Sequence, residues 1–213
     1  MQSLSTRRVR AFVTVFVLAA SWMARPQGQS AAENSADAAW LTQVLEIKEG
    51  SSVGEIGAGT GELTILLAKT VGPTGRILSN ELNADRVKTI GKAAASAGLS
   101  NVATVQGAAA ETNFPERCCD AIFMRDVYHH FDDPPVMNAS ILRSLKPGGR
   151  LAIIDFTPPP PPGGENPPGH RGEDNHHGIT AATLERELKA AGFEVVSSTT
   201  EKRAVRVVAR RPA

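Results

Sequence analysis

The sequence predicts an α/β protein with a doubly wound, mainly parallel sheet in a single domain. From about residue 33 onward, short apolar runs alternate with segments whose apolar residues recur every three or four positions. A glycine-rich turn follows the first apolar run directly. The last two runs lie close together, which favours an antiparallel hairpin. Strands that alternate with helices imply parallel pairing, with helices on both faces of the sheet.

The elements follow in order from an amphipathic helix around residues 40–47, which ends near Gly50. Glycine ends most of the later helices as well, as expected where a chain leaves helical geometry. Asp133 is the expected N-cap of the helix after the fourth strand, and Pro134 lies in its first turn, where a missing N–H group does no harm. The predicted strands span residues 51–56, 76–80, 102–106, 120–124, 150–156, 193–199 and 204–210, and the later helices span 63–71, 85–97, 134–145 and 180–191.

The first 32 residues differ in composition from the rest of the chain. They contain four arginines and no acidic residue, whereas the whole chain has a formal net charge of +1. The apolar run at 11–20 follows three of these arginines and is shorter than the roughly 20 residues that span a bilayer. We interpret residues 1–32 as a signal peptide or uncleaved anchor with a linker, and 33–213 as the folded domain. A functional leader implies a periplasmic or extracellular protein, and otherwise the protein is cytoplasmic.

Residues 157–178 form a segment rich in proline, glycine and histidine. Its five consecutive prolines favour an extended, solvated chain, and a long loop in a compact domain is often a lid. A solvated lid is our first interpretation, followed by contact with the substrate, with Arg171 as the clamp for an anionic one. A metal site comes last, because the spacing of the candidate ligands is irregular, and we predict none. Those candidates are His170, Glu173, Asp174, His176 and His177.

Composition excludes several classes of protein. A nearly neutral chain gives no reason to expect a nucleic-acid-binding protein, which neutralises phosphates with lysine and arginine. The two cysteines, Cys118 and Cys119, are adjacent and therefore form neither a disulfide scaffold nor a cysteine-rich zinc site. No membrane span is expected in residues 33–213. The sequence does not indicate the oligomeric state.

The turn after the first strand carries the strongest functional signal. Glycine there lets a ligand approach the backbone, and the start of the next helix favours a carboxylate or phosphate. In a dinucleotide fingerprint the third glycine stands three positions after the second, but Glu62 occupies that position here and disfavours a pyrophosphate. Glu81 ends the second strand, where a carboxylate can accept hydrogen bonds from two ribose hydroxyls. The turn contains Glu55, Gly57, Ala58, Gly59 and Gly61.

Four features together are typical of one known family: this turn, Glu81, the strand at 120–124 and the sequence Leu-Lys-Pro-Gly-Gly-Arg-Leu at 145–151. Through these features, residues 40–210 resemble the class I S-adenosylmethionine-dependent methyltransferases. The most similar subgroup methylates small molecules, around ubiquinone and sterol C-methylation. The resemblance implies S-adenosylmethionine as cofactor and a seven-stranded sheet of order 3-2-1-4-5-7-6, with strand 7 antiparallel.

By position, the resemblance also implies which residues bind the cofactor. Glu81 holds the ribose, and Ala108 and Ala109 flank the adenine, although Ala108 stands where the family often has an acid. The methionine part lies against the turn after the first strand, whose cofactor-binding residues are Glu55, Gly57, Ala58, Gly59 and Gly61.

The segment after the fourth strand is expected to face the cofactor, because ligands of open α/β sheets bind outside the carboxyl ends of the strands. We expect Arg125 and Asp126 to contact the carboxylate and the amine of the methionine part. We predict Asp126, His129 and His130 as catalytic, with a histidine taking a proton from an acceptor hydroxyl or amine. The alternative is that one histidine packs structurally and the other is solvated.

These observations predict an S-adenosylmethionine-dependent methyltransferase that acts on a small molecule by direct in-line displacement. Methyl transfer depends mainly on alignment and exclusion of water, so it does not require a general base. One alternative is a non-catalytic S-adenosylmethionine-binding protein, since the cofactor is made in the cytoplasm and the leader suggests export. A second is a nicotinamide-dependent oxidoreductase, which Glu62 disfavours. The acceptor and its reacting atom are not evident from the sequence.

Overall fold

Residues 29–159 and 178–213 are described by the computed structural model, so nearly all of the predicted leader at 1–32 and most of the 157–178 segment lie outside the described residues. The compact unit that holds the sheet begins at Ala31, two residues before the predicted domain boundary. Its elements are α1 (Ala31–Val44), β1 (Ser52–Ile56), α2 (Glu62–Val71), β2 (Arg76–Glu81), α3 (Ala84–Ser96), β3 (Val102–Gln106), β4 (Cys119–Arg125), α4 (Pro134–Ser144), β5 (Leu145–Phe156), α5 (Ala181–Ala190), β6 (Glu194–Glu201) and β7 (Ala204–Arg210).

The seven strands form one sheet in the order β3-β2-β1-β4-β5-β7-β6. The first five strands are parallel to their neighbours, whereas β7 is antiparallel to both β5 and β6. This order and the antiparallel strand confirm the predicted fold class. Because the parallel strands run in one direction, their carboxyl ends meet at one edge of the sheet, where an open α/β fold binds its ligands.

Helices cover both faces of the sheet because consecutive residues of each buried strand point to opposite sides. Phe123 of β4 packs in a core with Leu41 of α1 and Leu67 of α2. Its neighbour Met124 packs in a second core with residues of α4 and α5, among them Leu184. The doubly wound architecture is therefore confirmed. Within the two described ranges, every helix falls short of the length and apolarity that crossing a bilayer needs.

Two local features differ in detail from the predicted boundaries. Strand β5 starts directly after α4, because Leu145 already pairs with Cys119 of β4, and the Lys-Pro-Gly-Gly segment forms an irregularity inside the strand. Residues Tyr128–His130 form a short 3-10 turn that the sequence pattern did not indicate. The predicted cap of α4 is confirmed, since the Asp133 side chain accepts a hydrogen bond from the Val136 backbone N–H at 3.2 Å.

Candidate functional site

A cleft of about 330 Å³ opens at the carboxyl edge of the sheet, where β1, β2 and β4 end. Its volume falls in the range of small-molecule sites. The cleft brings together residues from the glycine turn, the end of β2, the segment after β3 and the segment after β4. Of the predicted site residues, those that line it are Gly57, Gly59, Glu81, Ala108, Ala109, Arg125, Asp126 and His130.

The Glu81 carboxylate is fixed at this cleft by backbone amides. Its Oε2 accepts a hydrogen bond from the Gly59 N–H at 2.9 Å, and its Oε1 accepts from the N–H groups of Leu82 and Asn83 at 2.9 and 3.1 Å. Arg86 lies 4.0 Å away from Oε2. An ionised carboxylate has about four lone-pair sites, so three amide bonds leave capacity for a ligand hydroxyl.

The glycines of the turn serve different purposes. Gly57 has a φ of +69°, and a Cβ built on it would overlap the Val127 side chain, so packing requires glycine there. Gly59 has a φ of +60°, and a Cβ built on it would meet nothing within 4 Å. The backbone of Gly59 therefore borders open space beside Glu81, as close approach by a ligand requires.

Two other residues of the turn do not line the cleft. Ala58 is buried, and its N–H donates to the Asn80 carbonyl at 2.9 Å. Gly61 is the N-cap of α2 and borders a separate hollow against α1. Both shape the turn rather than border the space in which a ligand would lie.

Glu55 was predicted to bind the cofactor, but its side chain is not in the cleft. It leaves β1 on the side of α2, where it accepts a hydrogen bond from the Thr64 hydroxyl. Burial raises the pKa of Glu55 to about 8, although the Thr64 hydrogen bond and the nearby Arg125 charge act in the opposite direction. The alternation of strand side chains accounts for this placement, because the cleft lies beyond the end of β1.

Arg125 and Asp126 place opposite charges side by side at the end of β4. Nη1 of Arg125 donates to Asn34 Oδ1 at 2.6 Å and lies 3.2 Å from Asp37 Oδ2, both on α1. Asp126 has a φ of +56°, which is uncommon for a non-glycine residue and frequent at binding sites. Burial and the neighbouring Asp155 carboxylate raise the pKa of Asp126. A guanidinium beside a carboxylate suits a zwitterionic amino-acid group.

The two predicted histidines take different positions. His130 lines the cleft, whereas the His129 side chain is 4% exposed and lies beneath it. The two rings are in contact, with their centroids 3.9 Å apart and their planes tilted by 44°. Asp155 Oδ1 lies 2.8 Å from His129 Nδ1, and the backbone N–H of His129 donates to the other oxygen of Asp155 at 3.2 Å. The buried Asp155 carboxylate therefore holds His129 in place, and His129 in turn contacts His130.

Sequence reasoning missed two contributors to the site. Asp155 stands near the end of β5, and the pairing of β5 with β4 was a signal that its side chain would join the same edge. Leu82 follows Glu81 directly and is 59% exposed. It lines the cleft, as do Phe131 and Met137, so part of the lining is apolar.

Tyr128 and the cysteines belong to the core. The Tyr128 ring is fully buried, and its hydroxyl donates to Glu187 at 3.1 Å and accepts from Asn138 Nδ2 at 2.7 Å. Cys118 and Cys119 are buried free thiols at the start of β4. In the part of the chain that the structure describes, no three His, Cys, Asp or Glu side chains converge as metal ligands. The segment with the other candidate ligands lies outside it.

Comparison of the sequence with known proteins identifies a domain and its relatives. Residues 54–153 match the family model of a methyltransferase domain. A ubiquinone/menaquinone biosynthesis C-methyltransferase UbiE from Saccharophagus degradans is 34% identical over 112 residues, which cover 52% of this chain and 45% of the relative. The chain thus spans about half the length of the curated relatives it matches.

Comparison of the fold with solved structures agrees with the domain match. The structure of an S-adenosylmethionine-dependent methyltransferase from Aquifex aeolicus superposes with a TM-score of 0.69 at 24% identity, over 82% of this chain and 89% of that one. A geranyl diphosphate C-methyltransferase from Streptomyces coelicolor gives a TM-score of 0.67 at 16% identity, over 83% and 78% of the two chains. The chain therefore contains a methyltransferase domain at residues 54–153, within a fold that it shares with an S-adenosylmethionine-dependent methyltransferase.

Proposed function

We propose that this chain binds S-adenosylmethionine in the cleft and transfers its methyl group to a small-molecule acceptor by direct in-line displacement. The observation that carries the proposal is the Glu81 carboxylate, which three backbone amides hold beside the open backbone of Gly59. A fixed carboxylate at the end of the second strand is what a vicinal diol needs as a hydrogen-bond acceptor.

The residues around Glu81 fit the nucleoside half of the cofactor. Glu81 would accept a hydrogen bond from a ribose hydroxyl at the lone pair that its three amide bonds leave. The exposed Leu82 and the small side chains of Ala108 and Ala109 offer an apolar surface for the adenine ring. With no acid at position 108, main-chain groups would have to bind the adenine edge.

The residues at the end of β4 fit the amino-acid half. Arg125 would hold the carboxylate in a charge-assisted hydrogen bond, and Asp126 the ammonium group. A carboxylate whose pKa is raised becomes more favourable to ionise when a cation binds beside it, so Asp126 suits a positively charged partner. Main-chain atoms of Gly57 and Gly59 border the same space.

When bound, the cofactor supplies a methyl group already activated on a sulfonium. The chain itself would then orient the acceptor and exclude water. Phe131 and Met137 contribute the apolar lining that keeps the cleft dry. His130 faces the cleft and, with His129 and Asp155 beneath it, is placed to take up a proton from an acceptor that loses one.

The comparisons support a small-molecule acceptor. The curated relative is named for a C-methyltransferase of ubiquinone and menaquinone biosynthesis, and one structural neighbour for a C-methyltransferase of geranyl diphosphate. Both names describe methylation of small molecules. We propose this substrate class for the chain and no particular member of it.

The nicotinamide alternative is disfavoured by the N-terminus of α2. A dinucleotide places its pyrophosphate there, but Glu62 occupies the first turn and its carboxylate accepts a hydrogen bond from the Thr60 hydroxyl at 2.5 Å. Thr60, Gly61 and Glu62 border the hollow against α1 and not the main cleft. A pyrophosphate would therefore meet a negative charge.

The experiment that tests the proposal follows the methyl group. Purified protein is incubated with S-adenosylmethionine labelled on its methyl group and with a small-molecule extract, and labelled products are separated chromatographically. We expect label in a small molecule with the wild type and none with Gly59→Ala. Tight cofactor binding without transfer to any extract would instead support the non-catalytic alternative, and absence of binding would reject both.

We also propose that residues 1–32 direct export of the domain at 33–213. The support is the arginine cluster followed by a short apolar run. The mass of the mature N-terminus, measured on protein from fractionated cells, tests this. A chain beginning after the apolar run in the exported fraction is the expected result, and an intact Met1 in the cytosol would contradict it.

A further inference from the structure

A buried polar cluster ties α1 to the sheet next to the cleft. Asp37 of α1 uses both of its carboxylate oxygens, since Oδ2 lies 3.2 Å from Arg125 Nη1 and Oδ1 accepts a hydrogen bond from Arg206 Nη2 at 2.9 Å. Asn34, one turn earlier on the helix, accepts from the same Nη1 at 2.6 Å. Asp37 is only 8% exposed, so its ion pairs are screened by salt less than pairs at the surface are.

The register of the sheet explains why one carboxylate reaches two arginines. Arg125 of β4 pairs with Ile154 of β5, and Ile154 pairs with Arg206 of β7. The two arginines therefore stand in one row across three strands, on the face that α1 covers. The guanidinium of Arg206 also lies over the Trp40 ring, 4.9 Å from its centroid, which holds this arginine against the helix.

Arg125 keeps hydrogen-bonding capacity beyond its contacts with α1. Its bonds to α1 involve only Nη1, and no described residue accepts from Nε or Nη2. These two nitrogens are absent from the fully buried unpaired atoms among the described residues, so each keeps some exposure. Because Arg125 lines the cleft, its remaining donors are available to a ligand there.

We propose that Asp37 is a positioning residue for the amino-acid tail of the cofactor. By holding Nη1, Asp37 turns the free edge of the Arg125 guanidinium toward the cleft, where that edge binds the tail carboxylate. The inference rests on the proposed function and deepens it, because it makes α1 part of the cofactor site. It adds Asp37, and Asn34 as a weaker second partner, to the residues that determine binding.

Charge and entropy both favour this arrangement. Two arginines share a single aspartate, so the trio keeps one net positive charge with which to attract a carboxylate. An arginine side chain loses considerable rotamer entropy when it is fixed. Since Asp37 and Asn34 already restrict Arg125, less of that entropy remains to be lost when the ligand binds.

Calorimetric titration of the full chain with two ligands tests the proposal. S-adenosylhomocysteine carries the amino-acid tail, whereas 5′-methylthioadenosine shares its nucleoside and thioether and lacks the tail. We expect Asp37→Asn to weaken S-adenosylhomocysteine binding about tenfold and to change 5′-methylthioadenosine binding less than about twofold. Asp85→Asn, which removes an exposed aspartate paired with Lys88, is the matched control and should change neither.

Asn34→Ala provides a second test in case Asp37→Asn does not fold. It should weaken S-adenosylhomocysteine binding less than Asp37→Asn does, again with no effect on 5′-methylthioadenosine. Equal losses for both ligands, or no loss for either, would overturn the positioning role while leaving the proposed function intact. If the wild type bound neither ligand, the proposed function would fail and this inference with it.

Discussion

The backbone N–H of Gly59 donates a hydrogen bond to the Glu81 carboxylate at 2.9 Å, and this contact joins the turn after β1 to the end of β2. The two residues are 22 positions apart in the sequence. The contact orients the carboxylate and leaves the Gly59 backbone at the surface of the cleft. This hydrogen bond therefore links ligand binding in the cleft to the local stability of the turn.

Replacing Glu81 with glutamine tests the anchored carboxylate. The amide can present only one acceptor oxygen, so either the Gly59 N–H or the Leu82 and Asn83 N–H groups face an NH₂ group. We expect the free energy of unfolding to fall by about 1–3 kcal/mol. Binding of S-adenosylhomocysteine and of 5′-methylthioadenosine should both weaken at least about tenfold, because both contain the ribose. Calorimetry measures the loss of binding, and urea unfolding measures the loss of stability. Unchanged binding of both ligands would contradict the role of Glu81.

Gly59→Ala separates backbone strain from obstruction of the cleft. Alanine at φ +60° costs about 1–2 kcal/mol, and Gly98 has a φ of +69° with equally open surroundings. Gly98→Ala is thus a matched control with similar strain, far from the cleft. We expect comparable melting temperatures for the two variants and loss of S-adenosylhomocysteine binding only in Gly59→Ala. Equal binding by both variants would show that no ligand approaches Gly59.

Gly57→Ala should lower stability more than Gly59→Ala does. The new Cβ would combine an unfavourable φ of +69° with overlap of the Val127 side chain. We expect the free energy of unfolding to fall by about 3 kcal/mol or more. Adding Val127→Ala should recover part of this loss by removing the overlap. If the double variant were no more stable than Gly57→Ala, the overlap would not be the cause.

The buried Glu55 predicts a pH dependence of stability. Its folded-state pKa of about 8 lies above the ordinary value of 4.5, so the folded protein keeps a proton that the unfolded chain has lost. Stability is therefore lost as pH rises between these values, by on the order of 4 kcal/mol. Urea unfolding at pH 5 and pH 8.5 should show this loss in the wild type and a much smaller one in Glu55→Gln, since glutamine can still accept from Thr64. Glu116→Gln, an exposed control, should behave as the wild type, and parallel pH profiles for all three proteins would contradict the assignment.

Patterns of burial in the sequence were enough to locate the seven strands, whereas their order followed from the resemblance to the methyltransferase family. Apolar runs and glycine stops located each strand, and the motif from Glu55 to Gly61 placed the ligand edge. The same patterns could not tell which way an individual side chain leaves the end of a strand. Glu55 therefore faces α2 rather than the cleft, although it belongs to the motif that defines the site.

Contacts between distant segments could not be predicted from the sequence, for a different reason. Asp37 and Arg125 are 88 positions apart, and nothing in the local pattern of α1 distinguishes Asp37 from a solvated aspartate. Asp155 was closer to being predictable, since the carboxyl end of β5 had to meet that of β4. Its bond to His129 depends on the 3-10 turn at Tyr128–His130, which no periodicity indicated.

The most direct test of the account is a calorimetric titration of the wild-type chain with S-adenosylhomocysteine, run beside one with a nicotinamide dinucleotide. We predict saturable binding of one S-adenosylhomocysteine per chain and no heat of binding from the dinucleotide. Saturable binding of the dinucleotide, together with no response to S-adenosylhomocysteine at millimolar concentration, would contradict it.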